Sequence, residues 1–459
     1  HGYPSETATG INQILRMRKL VTVILSVLVT GLAAQEFDRA KMDSLFTLIE
    51  AHDRGMGSLS IFKEGREIYQ RSIGFASIEQ DIRADAETKY RIGSVSKIFT
   101  ATLIMQLVEE GKLDLDTKLE GYFPAIEHAD RITIRHLLKH QSGIFNITAA
   151  EDYTEWMEKP VTREELVGRI IDLGTVFQPG EQTGYSNSNY VLLSFIAEKI
   201  EGKKYPEILQ ERIIRPCDLK NTRYGSLIDP ENNEARSYVM VGEWTPATET
   251  HMSVPAGAGG IISTPTDLNH FLDCLFNKKL VSDRTLEQMK EMENGHGIGM
   301  SRFSFFEKTA YGHTGGIDGF QSMAAFFPDE NISIAYSSNG AVMARNKILI
   351  GALSIYFGRE YDLPEFKEAI EVDPAVLEQY TGVYSSPELP LKITFIIEDG
   401  TLTAQATAQP AFPLEAYDIH RFRYDPAGIK IDFIPEENKL ILRQAETEFE
   451  MTRELTTVE

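Results

Sequence analysis

From residue 36 to 55 the apolar positions recur at helical spacing: Phe37, Met42, Leu45, Phe46 and Ile49 fall on one stripe and predict a helix. The pattern then changes. "GSLSIFKEGREIYQRSIGFAS" (57–77) reads as a strand, a turn at Glu64-Gly65 and a second strand. Helical segments dominate from about 94 to 215, and strands and helices mix from about 235 to 357. "FGREYDLPEFKEAIEVDP" (357–374) is charged and polar with Pro364 and Pro374, and reads as a linker. Beyond it, "LKITFIIEDGTLTAQA" sets two alternating runs around Asp399-Gly400, a hairpin signal. Short alternating runs continue to the end, predicting a small antiparallel, barrel-like β domain over 375–459.

One apolar run fits neither period. Met17-Arg18-Lys19 precedes "LVTVILSVLVTGLAA" (20–34), a basic start, an apolar stretch and small residues at its end. This predicts a secretory leader over 1–35, with residues before Met17 foreign to the natural product and the mature chain exported, to a periplasm. An uncleaved anchor is the alternative and the one membrane attachment the sequence offers, since no Cys follows to carry a lipid. The expected organisation is leader 1–35, main domain 36–357, linker 358–374 and β domain 375–459.

Composition narrows the partners. The 459 residues are 42% hydrophobic and 25% charged, a globular balance. With 68 acidic against 46 basic residues the net charge is -22, which suits neither nucleic acid nor an anionic membrane. A small-molecule or peptide substrate is the expected partner, and nothing in the sequence sets the number of subunits. Cys217 and Cys274 each sit among apolar residues. Two buried free thiols are the expectation, with a single bridge as the alternative. The histidines show no metal-ligand spacing, so no metal or other cofactor is expected.

Two Ser-x-x-Lys matches occur, Ser60–Lys63 and Ser94–Lys97. The first lies on a predicted strand, where residues three apart point to opposite faces. The second opens a predicted helix with a stripe of Ile98, Leu103, Leu107 and Val108, ended by Gly111. There the Lys amine can reach the Ser hydroxyl, and a desolvated, neutral Lys97 can take its proton. The competing reading makes Ser94 an N-cap and Lys97 an exposed cation.

Further blocks follow: "RITIRHLLKHQSGI" (131–144), "FQPGEQTGYSNSNYVLLSFIAEKIEG" (177–202), "VPAGAGGIISTPTDLNHFLDCL" (254–275) and "YGHTGGIDGFQS" (311–322). Over about 40–357 the chain resembles the serine β-lactamase and penicillin-binding superfamily. It is most similar to the branch of class C β-lactamases, D-alanyl-D-alanine carboxypeptidases, D-aminopeptidases and related esterases. The resemblance implies an α+β fold, a sandwich of antiparallel sheet and flanking helices beside a helical lobe. It implies Ser94 as acylated nucleophile with Lys97 as partner. Tyr185 would share proton transfer with its pKa lowered by Lys97, and Asn187 would bond the acyl group or Lys97. His313-Thr314-Gly315 stands where the family has Lys-Thr-Gly, and the N–H groups of Ser94 and Gly316 would form the oxyanion hole. Read singly, Tyr185 could be a core aromatic, Asn187 a cap for a helix over 188–200, and His313 a structural histidine.

His in place of Lys removes a permanent cation, so efficient β-lactam hydrolysis is not expected. Carboxylate substrates bound through His313 would show a pH dependence between about 5 and 8. The implied activity is a hydrolase acting on D-amino-acid peptides, with an esterase, a penicillin-binding protein without turnover, or a non-catalytic scaffold as alternatives. In "FNITAAEDYTEWMEKP" (145–160), Tyr153, Trp156 and Met157 either line the substrate wall or pack a helix.

Overall fold

The computed structural model describes residues 37–454 apart from 278 and 445–446, so the leader lies outside the described residues. Helix α1 (Arg39–Ala51) starts behind Asp38, whose carboxylate accepts the Lys41 N–H. The hairpin of β1 (Gly55–Lys63) and β2 (Arg66–Ile73) follows as the alternation predicts. Ser60 sits on β1 and donates to the Glu67 carboxylate, away from any catalytic partnership with Lys63. Further on come α2 (Ser96–Glu109), α3 (Asn187–Glu201), α4 (Pro265–Phe276), β3 (Ser301–Phe305), β4 (Lys308–Ile317), β5 (Phe320–Phe327), β6 (Ile332–Ala341) and α5 (Arg345–Tyr356).

The central sheet is antiparallel throughout, in the order β3-β4-β5-β6-β1-β2. Both faces are covered, so β5 and β6 are buried along almost their whole length, polar positions such as Ser333 and Asn339 included. Met323, Ala325 and Phe327 face one core, with Ile332, Ile334 and Tyr336 beside them and α1 and α5 above. Ala324, Phe326 and Ala335 face the other, against Phe271, Leu272 and Leu275 of α4. The helical lobe shares this second core. In it α2 is buried on nearly every side, the mark of a helix with no solvent face. Among the described residues no helix is long and apolar enough to cross a membrane.

Residues 359–373 carry no helix or strand. Among the described residues nine strands follow: β7 (Gly382–Ser386), β8 (Leu389–Glu398), β9 (Thr401–Ala406), β10 (Phe412–Pro413), β11 (Glu415–Asp418), β12 (Arg421–Tyr424), β13 (Ile429–Ile434), β14 (Lys439–Gln444) and β15 (Thr447–Arg453). Their order is β10-β9-β8-β7-β15-β14-β13-β12-β11, and the two edge strands β10 and β11 run into one another through Leu414, which nearly closes the sheet on itself. Aromatic residues including Tyr380, Phe395, Phe422 and Phe433 fill its interior. Asp399 (φ 48°) and Gly400 (φ 79°) supply the two positive-φ positions of the β8–β9 turn. Arg54 pairs with Asp425, tying this domain to the start of β1.

The structure corrects the cysteine expectation: Cys217 and Cys274 form a disulfide, with their Cα atoms 6.0 Å apart. Their apolar surroundings indicate burial but carry no information on proximity. Replacing both by alanine should cost up to about 4 kcal/mol on the chain-entropy estimate for so long a loop. It is measured as a fall in Tm that disappears when the wild type is reduced. Equal Tm values in oxidising buffer would show that the bridge constrains nothing.

Candidate active site

The nucleophile candidate does not sit on the α-helix proper. Gly93–Val95 forms a single 3-10 turn and α2 begins at Ser96, so Ser94 lies just ahead of the helix and is not its N-cap. Gly93 (φ 47°) is pressed against β4: a Cβ there would stand 2.8 Å from the Gly316 N and O atoms. The close approach aims Ser94 along the edge of the sheet.

Lys97 is fully buried, not an exposed cation. Its Nζ lies 3.0 Å from Ser94 Oγ, 2.7 Å from Asn187 Oδ1 and 2.8 Å from Ala258 O. Burial pushes its pKa well below the ordinary lysine value, and no carboxylate contacts it among the described residues. The two carbonyl oxygens can only accept, so they take two N–H groups of the amine. In the neutral form that burial favours, the lone pair is left facing Ser94, whose hydroxyl can then donate into it.

Tyr185 donates its hydroxyl to Ser94 Oγ at 2.8 Å, and Lys97 Nζ lies 5.0 Å from its ring centroid. The residue as a whole is 37% exposed, yet burial around its hydroxyl pushes its pKa up to about 12. The expected lowering by Lys97 is thus reversed, because a neutral amine offers the phenolate no charge to offset desolvation. Tyr185 is not a core aromatic. Asn187 opens α3 without capping it. Its amide donates to Asn146 Oδ1 (3.1 Å) and Thr148 Oγ (2.9 Å), which turns Oδ1 toward Lys97.

His313, Thr314, Gly315 and Gly316 lie on β4, facing the Ser94 turn, and Ser94 and Gly316 line the cavities on both sides of it. His313 Nδ1 contacts Thr314 O, which can only accept, so Nδ1 carries the proton. Burial, the largest cause, lowers its pKa to about 3. This overturns the expected titration between pH 5 and 8: the imidazole is neutral throughout, and Nε2 is left as an acceptor.

Several residues at the site escape sequence reasoning. Arg345, at the start of α5, donates Nη1 to Gly315 O (3.2 Å) and Ser322 O (3.1 Å) and has no carboxylate partner among the described residues. His140 and His296 flank Tyr185, with ring centroids 4.4 and 6.2 Å from it. On one side of Ser94 is a cavity of about 360 Å³ with Thr148, Tyr153, Met157 and Ile317 in its wall. Trp156 instead packs into the core against Tyr153, so the 145–160 stretch divides between lining the substrate wall and packing a helix. On the other side is a space of about 510 Å³ bounded by Tyr185, His296, His313, Gln321 and Arg345. Among the described residues no group of His, Cys, Asp or Glu is arranged to hold a metal ion.

Residues 39–352 match the Beta-lactamase family. The chain is 27% identical over 448 residues to penicillin-binding protein 4* of Bacillus subtilis, covering 90% of this chain and 94% of that one. Among solved structures, the octameric penicillin-binding protein homologue from Pyrococcus abyssi superposes with a TM-score of 0.64 at 25% identity, covering 90% of this chain and 99% of the other. The D-stereospecific amidohydrolase from a Streptomyces species gives 0.61 at 25% identity, over 70% of this chain and all (100%) of the other. This protein therefore belongs to the Beta-lactamase family, as a serine hydrolase of the β-lactamase and penicillin-binding fold.

Proposed function

We propose that the protein hydrolyses the amide bond of a D-amino-acid peptide through an acyl-enzyme at Ser94. The hydrogen-bonded run from Tyr185 through Ser94 to a buried, neutral Lys97 carries this reading. Ser94 Oγ attacks the carbonyl carbon and its proton passes to Lys97. The N–H groups of Ser94 and Gly316 hold the oxyanion. The C–N bond then breaks, and the amine departs with a proton from Tyr185, which Lys97 restores. Water reverses the sequence, releasing the acid. A phenol held protonated by burial suits the donor's part.

Tyr185 places the leaving group on its own side of Ser94, in the space that Arg345 borders. An unpaired guanidinium there fits a leaving group with a carboxylate, a C-terminal D-amino acid, over a plain amide. The acyl side chain occupies the cavity walled by Tyr153 and Met157. The test compares release of D-alanine from N-acetyl-D-alanyl-D-alanine with release of ammonia from N-acetyl-D-alaninamide. Arg345→Ala should raise KM for the first by about 10- to 100-fold, the value of one charged hydrogen bond, and leave the second unchanged. Equal effects on both would remove Arg345 as a carboxylate reader. Turnover of esters alone would make the protein an esterase.

The acid limb of kcat/KM should report Lys97. Activity requires the neutral amine, so it rises with pH through the lowered Lys97 value and stays level until Tyr185 begins to ionise. A limb centred near the ordinary lysine value, about 10.4, would count against a buried base. Export is part of the proposal. The Cys217–Cys274 bridge suits an oxidising compartment, and a mature chain that starts near residue 36 in a periplasmic fraction would establish it.

A further inference from the structure

We propose that His140 is the positioning residue that sets Tyr185 against the nucleophile. His140 follows the short helix Ile134–Leu138 and is 3% exposed. It holds the backbone on both sides of Tyr185. Its carbonyl oxygen accepts the Gly184 N–H at 2.9 Å, and its Nδ1 accepts the Ser186 N–H at 3.2 Å. Between these two bonds its ring lies against the Tyr185 ring, with centroids 4.4 Å apart and planes tilted by 34°. The Asn189 amide also approaches Nδ1, at 3.4 Å, so this nitrogen is an acceptor twice over and the proton resides on Nε2.

The anchor of this clamp is itself fixed. The Tyr190 hydroxyl donates to Leu138 O at 2.9 Å, and the Gly180 N–H to Gln141 O at 2.8 Å. His140 adopts φ 58°, a backbone region that non-glycine residues other than Asn, Asp and His seldom enter. Sustaining that conformation turns the carbonyl and the ring toward the same two-residue stretch. Tyr185 needs such support. With its ring partly exposed and its hydroxyl bonded to Ser94, its place depends on the backbone and on what lies beneath the ring. A misplacement of about 1 Å in a reacting group can cost around 100-fold.

The inference rests on Tyr185 as the proton donor to the leaving group, and the test separates the two. N-acetyl-D-alanine methyl ester has a leaving group that must be protonated, whereas its p-nitrophenyl ester does not. His140→Ala should lower kcat/KM for the methyl ester by about 30- to 100-fold and for the p-nitrophenyl ester by less than about 5-fold, since only the first draws on general-acid catalysis. Asn at 140 tolerates positive φ and sets Oδ1 where Nδ1 stood. His140→Asn should therefore keep methyl-ester turnover within about 5-fold, while His140→Gln, its acceptor one bond further out, should not. In a Tyr185→Phe background, His140→Ala should change either rate by less than about 3-fold, because a residue acting through another is not additive with it.

Equal losses on both esters, an Asn variant as poor as Ala, or additivity with Tyr185→Phe would each overturn the proposal. If His140→Ala does not fold, the Asn and Gln variants decide it by the same criterion. If Tyr185→Phe spares the methyl ester, the donor assignment fails first, whatever His140 does.

Discussion

Ser94→Ala should abolish turnover, lowering kcat/KM by roughly 10⁴- to 10⁶-fold, the scale seen when a nucleophile that acts as part of a unit is removed. The fold should barely respond. Ser94 lies at the junction of two cavities, and its loss frees only a neutral amine and a neutral phenol, both beside space that water can enter. Comparison of ester and amide turnover, with intact-mass detection of the acyl adduct in the wild type, checks the assignment. A variant that keeps a tenth of the activity, or still forms the adduct, would move the nucleophile elsewhere.

Lys97 offers the second large effect, and there charge matters more than shape. Both Lys97→Met and Lys97→Arg should lose at least about 10³-fold in kcat/KM, since neither can take the Ser94 proton. Their stabilities should diverge. Methionine fills the same volume and leaves the Asn187 and Ala258 carbonyls short of a donor, at about 1–3 kcal/mol each. It also removes the cost of burying the amine, so the two changes oppose one another. Arginine, always charged, would force a cation into a site that holds no carboxylate among the described residues, at a cost of several kcal/mol. The familiar conservative exchange should be the more damaging one, as parallel urea titrations would show. Wild-type stability should also rise with pH from the lowered folded value of Lys97 up to the unfolded value of about 10.4. Over that window the unfolded chain carries a proton that the folded chain does not. Lys97→Met should lack this rise, and identical slopes would mean that the buried amine is charged after all.

Much of this site is legible in the amino-acid pattern. A three-residue spacing brings Ser94 and Lys97 together only if the segment is helical, and the stripe from Ile98 to Val108 makes it so. The alternating runs around Asp399-Gly400 mark the β domain, because a two-residue turn with two positive-φ positions leaves few alternatives. What escapes depends on contacts made across the fold. The carbonyl of Ala258 meets Lys97 from 161 positions away, and no local pattern announces it. The direction of the Tyr185 shift is misread from sequence because it turns on the charge of Lys97, and that charge depends on a burial only the fold reveals. A titrating His313 follows by analogy with the lysine it replaces, although its own strand buries it. Arg345 belongs to no motif, and its importance comes only from the cavity it borders. For the cysteines, apolar neighbours speak of depth and not of pairing.

The contact between the Ser94 turn and β4 has a consequence for how this protein can change over generations. Gly93 meets Gly316, and Gly315 meets the Ile92 carbonyl, main chain against main chain. No side chain can be inserted at Gly93 or Gly315, so substitution at these two positions is closed to mutation and selection on activity would leave them invariant, whereas a Cβ at Gly316 would point into nearly open space. The wall of the acyl cavity obeys a different rule. Tyr153 and Met157 hang from a segment outside that contact. A lineage can exchange them and acquire new substrates while the reaction itself stays untouched.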